Sequence, residues 1–209
     1  MNKIAYLYVL DTMADWEPVF LIAELHSTRY FHKDATVFQV KTVGLTKEPV
    51  VTMGGVRIIP DISIDELKTD NSGVLILPGG DTWLEDMHNP LMDKVKEFLD
   101  AGIPVAAICG ATMGLAKAGF LDNRAHTSND LGYLKAVCPN YTGESFYRAE
   151  PVVTDDDLIT ASGVAPLEFA REVLKKLDVF SPETLEAWYR LYVTHEAQYF
   201  YALMESLEK

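Results

Sequence analysis

The sequence predicts an α/β fold with a mainly parallel central sheet and helices on both faces. Continuous apolar runs at residues 4–10 (IAYLYVL), 74–77 (VLIL) and 105–108 (VAAI) read as strands buried on both faces. Amphipathic stretches of helical period alternate with them, the order that builds a parallel sheet. No internal repeat, low-complexity tract or Pro/Gly/Ser linker breaks the series. Residues 1–178 are therefore expected to form one domain, with residues 179–209 a helical extension packed on it.

Each element has a local cause. After the first strand, residues 15–30 read as a helix capped by Asp15, with Val19, Ile22, Ala23 and Leu25 on its apolar side. Residues 36–43 form a second strand. Residues 50–52 and 56–59 flank Met53-Gly54-Gly55, a hairpin turn. Pro78-Gly79-Gly80 closes the run at 74–77, and residues 91–101 form an amphipathic helix that Gly102 stops. The run at 105–108 leads straight into Cys109-Gly110-Ala111, with a helix over 112–118. Residues 152–154 and 158–160 flank three aspartates, which read as a second hairpin with a solvated turn, and residues 165–177 as a helix. Ser181-Pro182-Glu183 supplies a capping serine, a first-turn proline and an early acid. Leu185, Trp188, Leu191, Tyr192, His195, Tyr199 and Leu203 then recur at helical spacing. One terminal helix is expected, laid on the domain, lining the mouth of a site or forming a dimer contact.

Composition narrows the function classes. A chain of 209 residues with 48% hydrophobic side chains has ample material for a core and is too apolar for disorder. Eighteen basic against 31 acidic residues give a net charge of −13. That balance argues against nucleic acid, whose phosphates demand Lys and Arg, and against an anionic membrane surface. No apolar run approaches the length of a membrane span, and no signal-peptide pattern is visible. The two cysteines, Cys109 and Cys138, are too few for a disulfide framework, so a reducing cytoplasm is expected.

Cys109 sits where a buried strand meets a helix. A tight turn there aims the side chain at the crevice beyond the strand ends, and the helix N-terminus favours thiolate over thiol. Gly79 and Gly80 end a different strand on the same edge, where a bare backbone can turn an N–H towards an oxyanion. Glu17, after the first strand, shares that edge, and a buried carboxyl beside a thiol would carry a proton near neutrality. No Cys/His spacing suits zinc, and the three aspartates lack the glycine and distal glutamate of a calcium loop. His26 and His32 lie near the end of the first helix, His88 in a polar stretch and His195 on the apolar stripe of the tail; Cys138 reads as structural.

Residues 74–80 (VLILPGG), 105–111 (VAAICGA) and 157–163 (DLITASG) together resemble the ThiJ/PfpI superfamily of class I glutamine-amidotransferase-like proteins. The resemblance runs from Ile4 to about Leu177. It implies a flavodoxin-like three-layer sandwich with Cys109 on a nucleophile elbow, Glu17 beside it, and the N–H groups of Gly80 and Gly110 as an oxyanion site. It also implies a homodimer that needs neither metal nor organic cofactor. Peptidase members often carry histidine directly after the cysteine, where this chain has Gly110. The substitute is His126 in the segment 124–129, or Asn129 if that side chain faces inward.

The expected function is a cysteine-dependent hydrolase of the PfpI type, acting on a peptide or small-molecule substrate. The alternatives are a glyoxalase or deglycase acting on reactive carbonyls, and a redox sensor whose Cys109 becomes a sulfinate.

Overall fold

The structure, a computed structural model, describes residues 2–208. In chain order the strands are β1 (Lys3–Tyr8), β2 (Phe38–Gly44), β3 (Val50–Val51), β4 (Arg57–Ile58), β5 (Ile62–Ser63), β6 (Ser72–Leu77), β7 (Val105–Ile108), β8 (Val152–Asp155) and β9 (Leu158–Ala161). A seven-stranded sheet runs β5-β2-β1-β6-β7-β9-β8, parallel throughout except where β8 folds back on β9. The pair β3–β4 is a separate antiparallel ribbon. Side chains of β6 from Val74 to Leu77, and all of β7, are fully buried. Helices cover both faces of these strands, which is why the runs are continuously apolar and not alternating.

The helices are α1 (Val19–Ser27), α2 (Asn89–Asp100), α3 (Gly110–Lys117), α4 (Leu131–Val137), α5 (Pro166–Lys176), α6 (Pro182–Thr194) and α7 (Ala197–Ser206). Helix α1 packs on α5, and α5 on α6. From α6, the buried Trp188 donates its indole N–H to Glu24 Oε1 at 3.0 Å and meets Phe20 edge-on. Glu24, itself buried in α1, is also paired with Arg29. Among the described residues no helix is long and apolar enough to cross a membrane.

Several expectations need correction. Helix α1 begins at Val19, not Asp15, because the Asp15 carboxylate is engaged by Thr52 Oγ1 and the Gly54 N–H at 2.6 Å each. Asp15 therefore anchors the β3–β4 ribbon. The tail is two antiparallel helices: His195 adopts a left-handed conformation (φ 60°) and ends α6, while Thr194 bonds back to Arg190 O and receives the Glu196 N–H. β-Branched Val193 and Thr194 weaken the helix at this break. His195 is accordingly exposed at a corner and not part of an apolar stripe. His88 is buried although the stretch around it is polar. The aspartate turn of the second hairpin is not merely solvated: Asp155 receives the Ala125 N–H, and Asp157 pairs with Lys176 at 3.0 Å. Strand β5 and helix α4 had no signal in the periodicity, being two and seven residues long.

Candidate active site

Parallel order brings the carboxyl ends of β1, β6, β7 and β9 to one edge of the sheet. Cys109 follows β7 with φ 59° and ψ −123°, a conformation that costs a non-glycine residue about 1–3 kcal/mol. Neighbouring bonds hold it there: its N–H goes to Ala161 O at 3.0 Å, and its carbonyl receives the Thr112 hydroxyl at 2.6 Å. This is the sharp strand-to-helix turn of an elbow, with the half-buried sulfur at the head of α3.

Glu17 is fully buried, in the turn between β1 and α1. That turn is clamped to the end of β6 in both directions: the Ala14 N–H donates to Gly79 O at 3.0 Å, and the Gly79 N–H donates to Glu17 Oε2. Oε1 has no hydrogen-bond partner among the described residues. Two glycines show how tightly carboxyl and thiol are enclosed. A Cβ on Gly79 would lie 2.8 Å from Oε2 and 3.0 Å from Sγ; one on Gly163 would lie 2.6 Å from Sγ and 3.1 Å from Oε1. The carboxyl and thiol are neighbours, walled on both sides by residues that must lack a side chain.

Burial pushes the Glu17 carboxyl up to about 7, against the pull of the Gly79 N–H. Burial likewise pushes the Cys109 thiol up to about 11, with the adjacent Glu17 carboxylate opposing ionisation and Asn129 and Gly110 favouring it. The helix N-terminus favours the thiolate through Gly110, as expected, but desolvation and the like charge of Glu17 outweigh it. Between about 7 and about 11 the pair therefore holds one proton, on the Cys109 thiol, with the Glu17 carboxylate beside it opposing its loss.

Asn129, not His126, reaches the sulfur. Its Nδ2 donates to Sγ at 3.3 Å, and its Oδ1 receives the Gly163 N–H at 2.7 Å. His126 is fully buried and occupied elsewhere: Nε2 meets the Tyr141 hydroxyl at 2.7 Å and Nδ1 the Arg124 carbonyl at 2.8 Å. Burial lowers its pKa, which suits a neutral structural imidazole. The segment is pinned in this register because Thr127 N–H bonds Thr160 Oγ1 at 2.9 Å and Ser128 meets Thr112 at 2.7 Å. Asn129 is then the next side chain at the opening.

Gly110 is the first residue of α3, so its N–H has no intrahelical acceptor. A Cβ there would lie 2.7 Å from Gly80 O, 2.9 Å from Trp83 Cδ1 and 3.2 Å from Gly80 N. Gly80 and Gly110 therefore border one small space, and Trp83 closes the place that a histidine after the cysteine would need. Sequence reading did not single out Gly163, Trp83 or Trp16, whose indole N–H reaches Gly163 O at 3.4 Å. The position of Gly163 just past β9, on the same edge as the other loops, was the available signal. Beside Asn129 a cleft of about 640 Å³ opens between Tyr147, Pro151, Ser162 and Val164. Among the described residues no group of three or more His, Cys, Asp or Glu side chains could hold a metal ion. Cys138 is buried and points to Met113 O at 3.5 Å, away from this edge.

The family model described as DJ-1/PfpI family matches residues 3–176. The chain is 56% identical over 208 residues to a Bacillus subtilis protein named "Uncharacterized protease YoaZ", covering 100% of this chain and 99% of the relative. It is 28% identical to the Caenorhabditis elegans "Glutathione-independent glyoxalase DJR-1.2", over 67% of this chain and 74% of that protein. The crystal structure of a thiJ/pfpI family protein from Bacillus anthracis superposes with a TM-score of 0.96 at 56% identity, covering 100% of this chain and 99% of the other. With the elbow, the glycine-walled edge and these matches together, the chain belongs to the DJ-1/PfpI family.

Proposed function

We propose that the protein is a cysteine-dependent enzyme acting on small reactive carbonyl compounds, with Cys109 as nucleophile and Glu17 as proton carrier. The supporting observation is the enclosed pair of a buried Glu17 carboxyl and the Cys109 thiol, with no imidazole at the sulfur. As the thiol adds to an aldehyde carbon, its proton passes to the Glu17 carboxylate. The new oxyanion lies against the N–H groups of Gly80 and Gly110 and takes a proton back from Glu17. With a 2-oxoaldehyde, Glu17 then takes the proton from C1 and returns it to C2 while the hydroxyl proton passes from the C1 oxygen to the C2 oxygen, leaving a thioester that water opens to a 2-hydroxy acid and the free thiol.

Hydrolysis of peptides is the second reading, favoured by the name of the 56% identical relative. The packing of Trp83 and Gly80 against Gly110 weighs against it, since no histidine fits after the cysteine. Turnover of methylglyoxal and of fluorogenic peptides by wild type and Cys109→Ala separates the two. Cysteine-dependent loss of methylglyoxal alone supports the carbonyl reading, and cysteine-dependent peptide cleavage alone overturns it. Sulfinate at Cys109 with neither turnover overturns both in favour of a sensor.

A homodimer in a reducing cytoplasm completes the proposal. The half-buried to exposed apolar surface of Val19, Ile22 and Val40 supports burial against a second copy. Sedimentation equilibrium at micromolar concentration tests it: a mass of one chain contradicts the dimer.

A further inference from the structure

The sheet contains a second feature, independent of Cys109. From β1 the chain steps outward to β2 and later returns to β6 on the other side of β1, so the strand order reverses between β1 and β6. Open parallel sheets bind ligands in the crevice outside the carboxyl ends of the strands at such a reversal. A cavity of about 420 Å³ lies there, lined by Leu10 and Asp11 after β1, Leu45 and Thr46 after β2, and Thr82 after β6. That volume falls in the range of small-molecule sites, roughly 300–1,000 Å³. Cys109, Glu17, Asn129 and Gly163 do not line it.

The floor is a closed hydrogen-bond chain. His88 is buried, with the Tyr8 hydroxyl at 2.9 Å from Nδ1 and Thr82 Oγ1 at 2.9 Å from Nε2, and Trp83 stacks on its ring at 5.0 Å. Burial lowers the His88 pKa, so the floor brings no positive charge. The walls are apolar, from Leu10, Leu45, Val50 and Met87. The rim carries Asp11, Glu48 and Glu85, and no lysine or arginine lines the cavity. Asp11 is partly engaged by the Val51 N–H at 2.7 Å. Among the described residues, the carboxylates of Glu48 and Glu85 take part in no ion pair.

We propose that this cavity is a second ligand site, for a small organic cation with an apolar body, of the arylalkyl- or alkylammonium class. The body lies between Leu45, Val50 and Met87, and the ammonium group sits at the rim between Glu48 and Glu85. An anionic ligand is repelled by the same rim, and a neutral one keeps only the apolar contact.

The test uses the whole isotope-labelled protein, titrated by amide NMR with 2-phenylethylammonium, 2-phenylethanol and 3-phenylpropionate at low salt. The expected result is saturable shifts at Leu10, Leu45, Val50 and Met87, with the ammonium compound about fivefold tighter than the alcohol and the carboxylate weakest. The double variant Glu48→Gln, Glu85→Gln, both exposed positions, is expected to bring ammonium and alcohol within about twofold. Met87→Trp at the exposed mouth is expected to abolish the shifts. Equal affinity for all three compounds, shifts confined elsewhere, or an ammonium preference that survives the double variant overturns the proposal.

Discussion

Gly163 stands so close to Cys109 that a Cβ on it would lie 2.6 Å from the sulfur and 2.8 Å from the cysteine Cβ. The elbow cannot swing away, because Cys109 is tied to Ala161 on the neighbouring strand at 3.0 Å. Gly163→Ala is therefore expected to displace the thiol or the loop after β9, at about 1–3 kcal/mol in stability. Iodoacetamide alkylation at pH 7 should slow at least about tenfold, which corresponds to about 1.4 kcal/mol of barrier. Wild-type alkylation in a folded variant would contradict the enclosure.

Glu17→Gln separates the two protons of the pair. In wild type the alkylation rate should rise in two steps, near the Glu17 value of about 7 and the Cys109 value of about 11. The amide cannot accept a proton and carries no charge, so the lower step should vanish and the upper step should move below about 11 as the opposing carboxylate is lost. A lower step that persists would assign it to another group.

The same carboxyl makes stability depend on pH. Its folded pKa of about 7 lies above the ordinary 4.5, so the folded state holds the extra proton between those values. Stability is then lost as pH rises from about 4.5 to about 7, by on the order of 3 kcal/mol. Glu17→Gln should remove that slope. Urea denaturation at pH 5 and pH 8 measures it, and equal slopes in wild type and variant would refute the shift.

Asn129 and His126 should behave differently. Asn129→Ala removes the N–H donor to Sγ and frees the Gly163 N–H, so alkylation at pH 7 should slow roughly three- to tenfold. His126→Gln should cost about 1–3 kcal/mol, from its two buried partners, and leave both alkylation steps in place. A loss of the lower step in His126→Gln would return that histidine to the proton path.

The contrast between those residues shows what was legible in the sequence. The run at 105–108, the glycines of 78–80 and the turn at Cys109 were readable because a strand buried on both faces and a sharp turn leave local signatures. The parallel order then placed Glu17 on the same edge. Which side chain of the segment 124–129 faces the sulfur was not readable, because its register comes from Thr160, Thr112 and Asp155, distant partners without a periodic signal. Asp15 looked like a cap for the same reason: its partners Thr52 and Gly54 lie on a ribbon nearly forty residues away. The break at His195 was hidden beneath an apolar spacing that continues across it.

The terminal helices answer to a separate measurement. Trp188→Ala should cost about 3–5 kcal/mol, and Trp188→Phe about 1 kcal/mol from the lost bond to Glu24. Because Trp188 packs on α1, one cooperative urea transition is expected in both variants. A separate early transition would show that α6 and α7 unfold independently.

The most direct test of the proton-sharing pair is turnover of methylglyoxal at pH 7, followed by proton NMR, in wild type, Cys109→Ser and Glu17→Gln with circular dichroism confirming their folds. Production of lactate by wild type, with both variants at background, is the expected result. Lactate production at the wild-type rate by either folded variant would contradict the account.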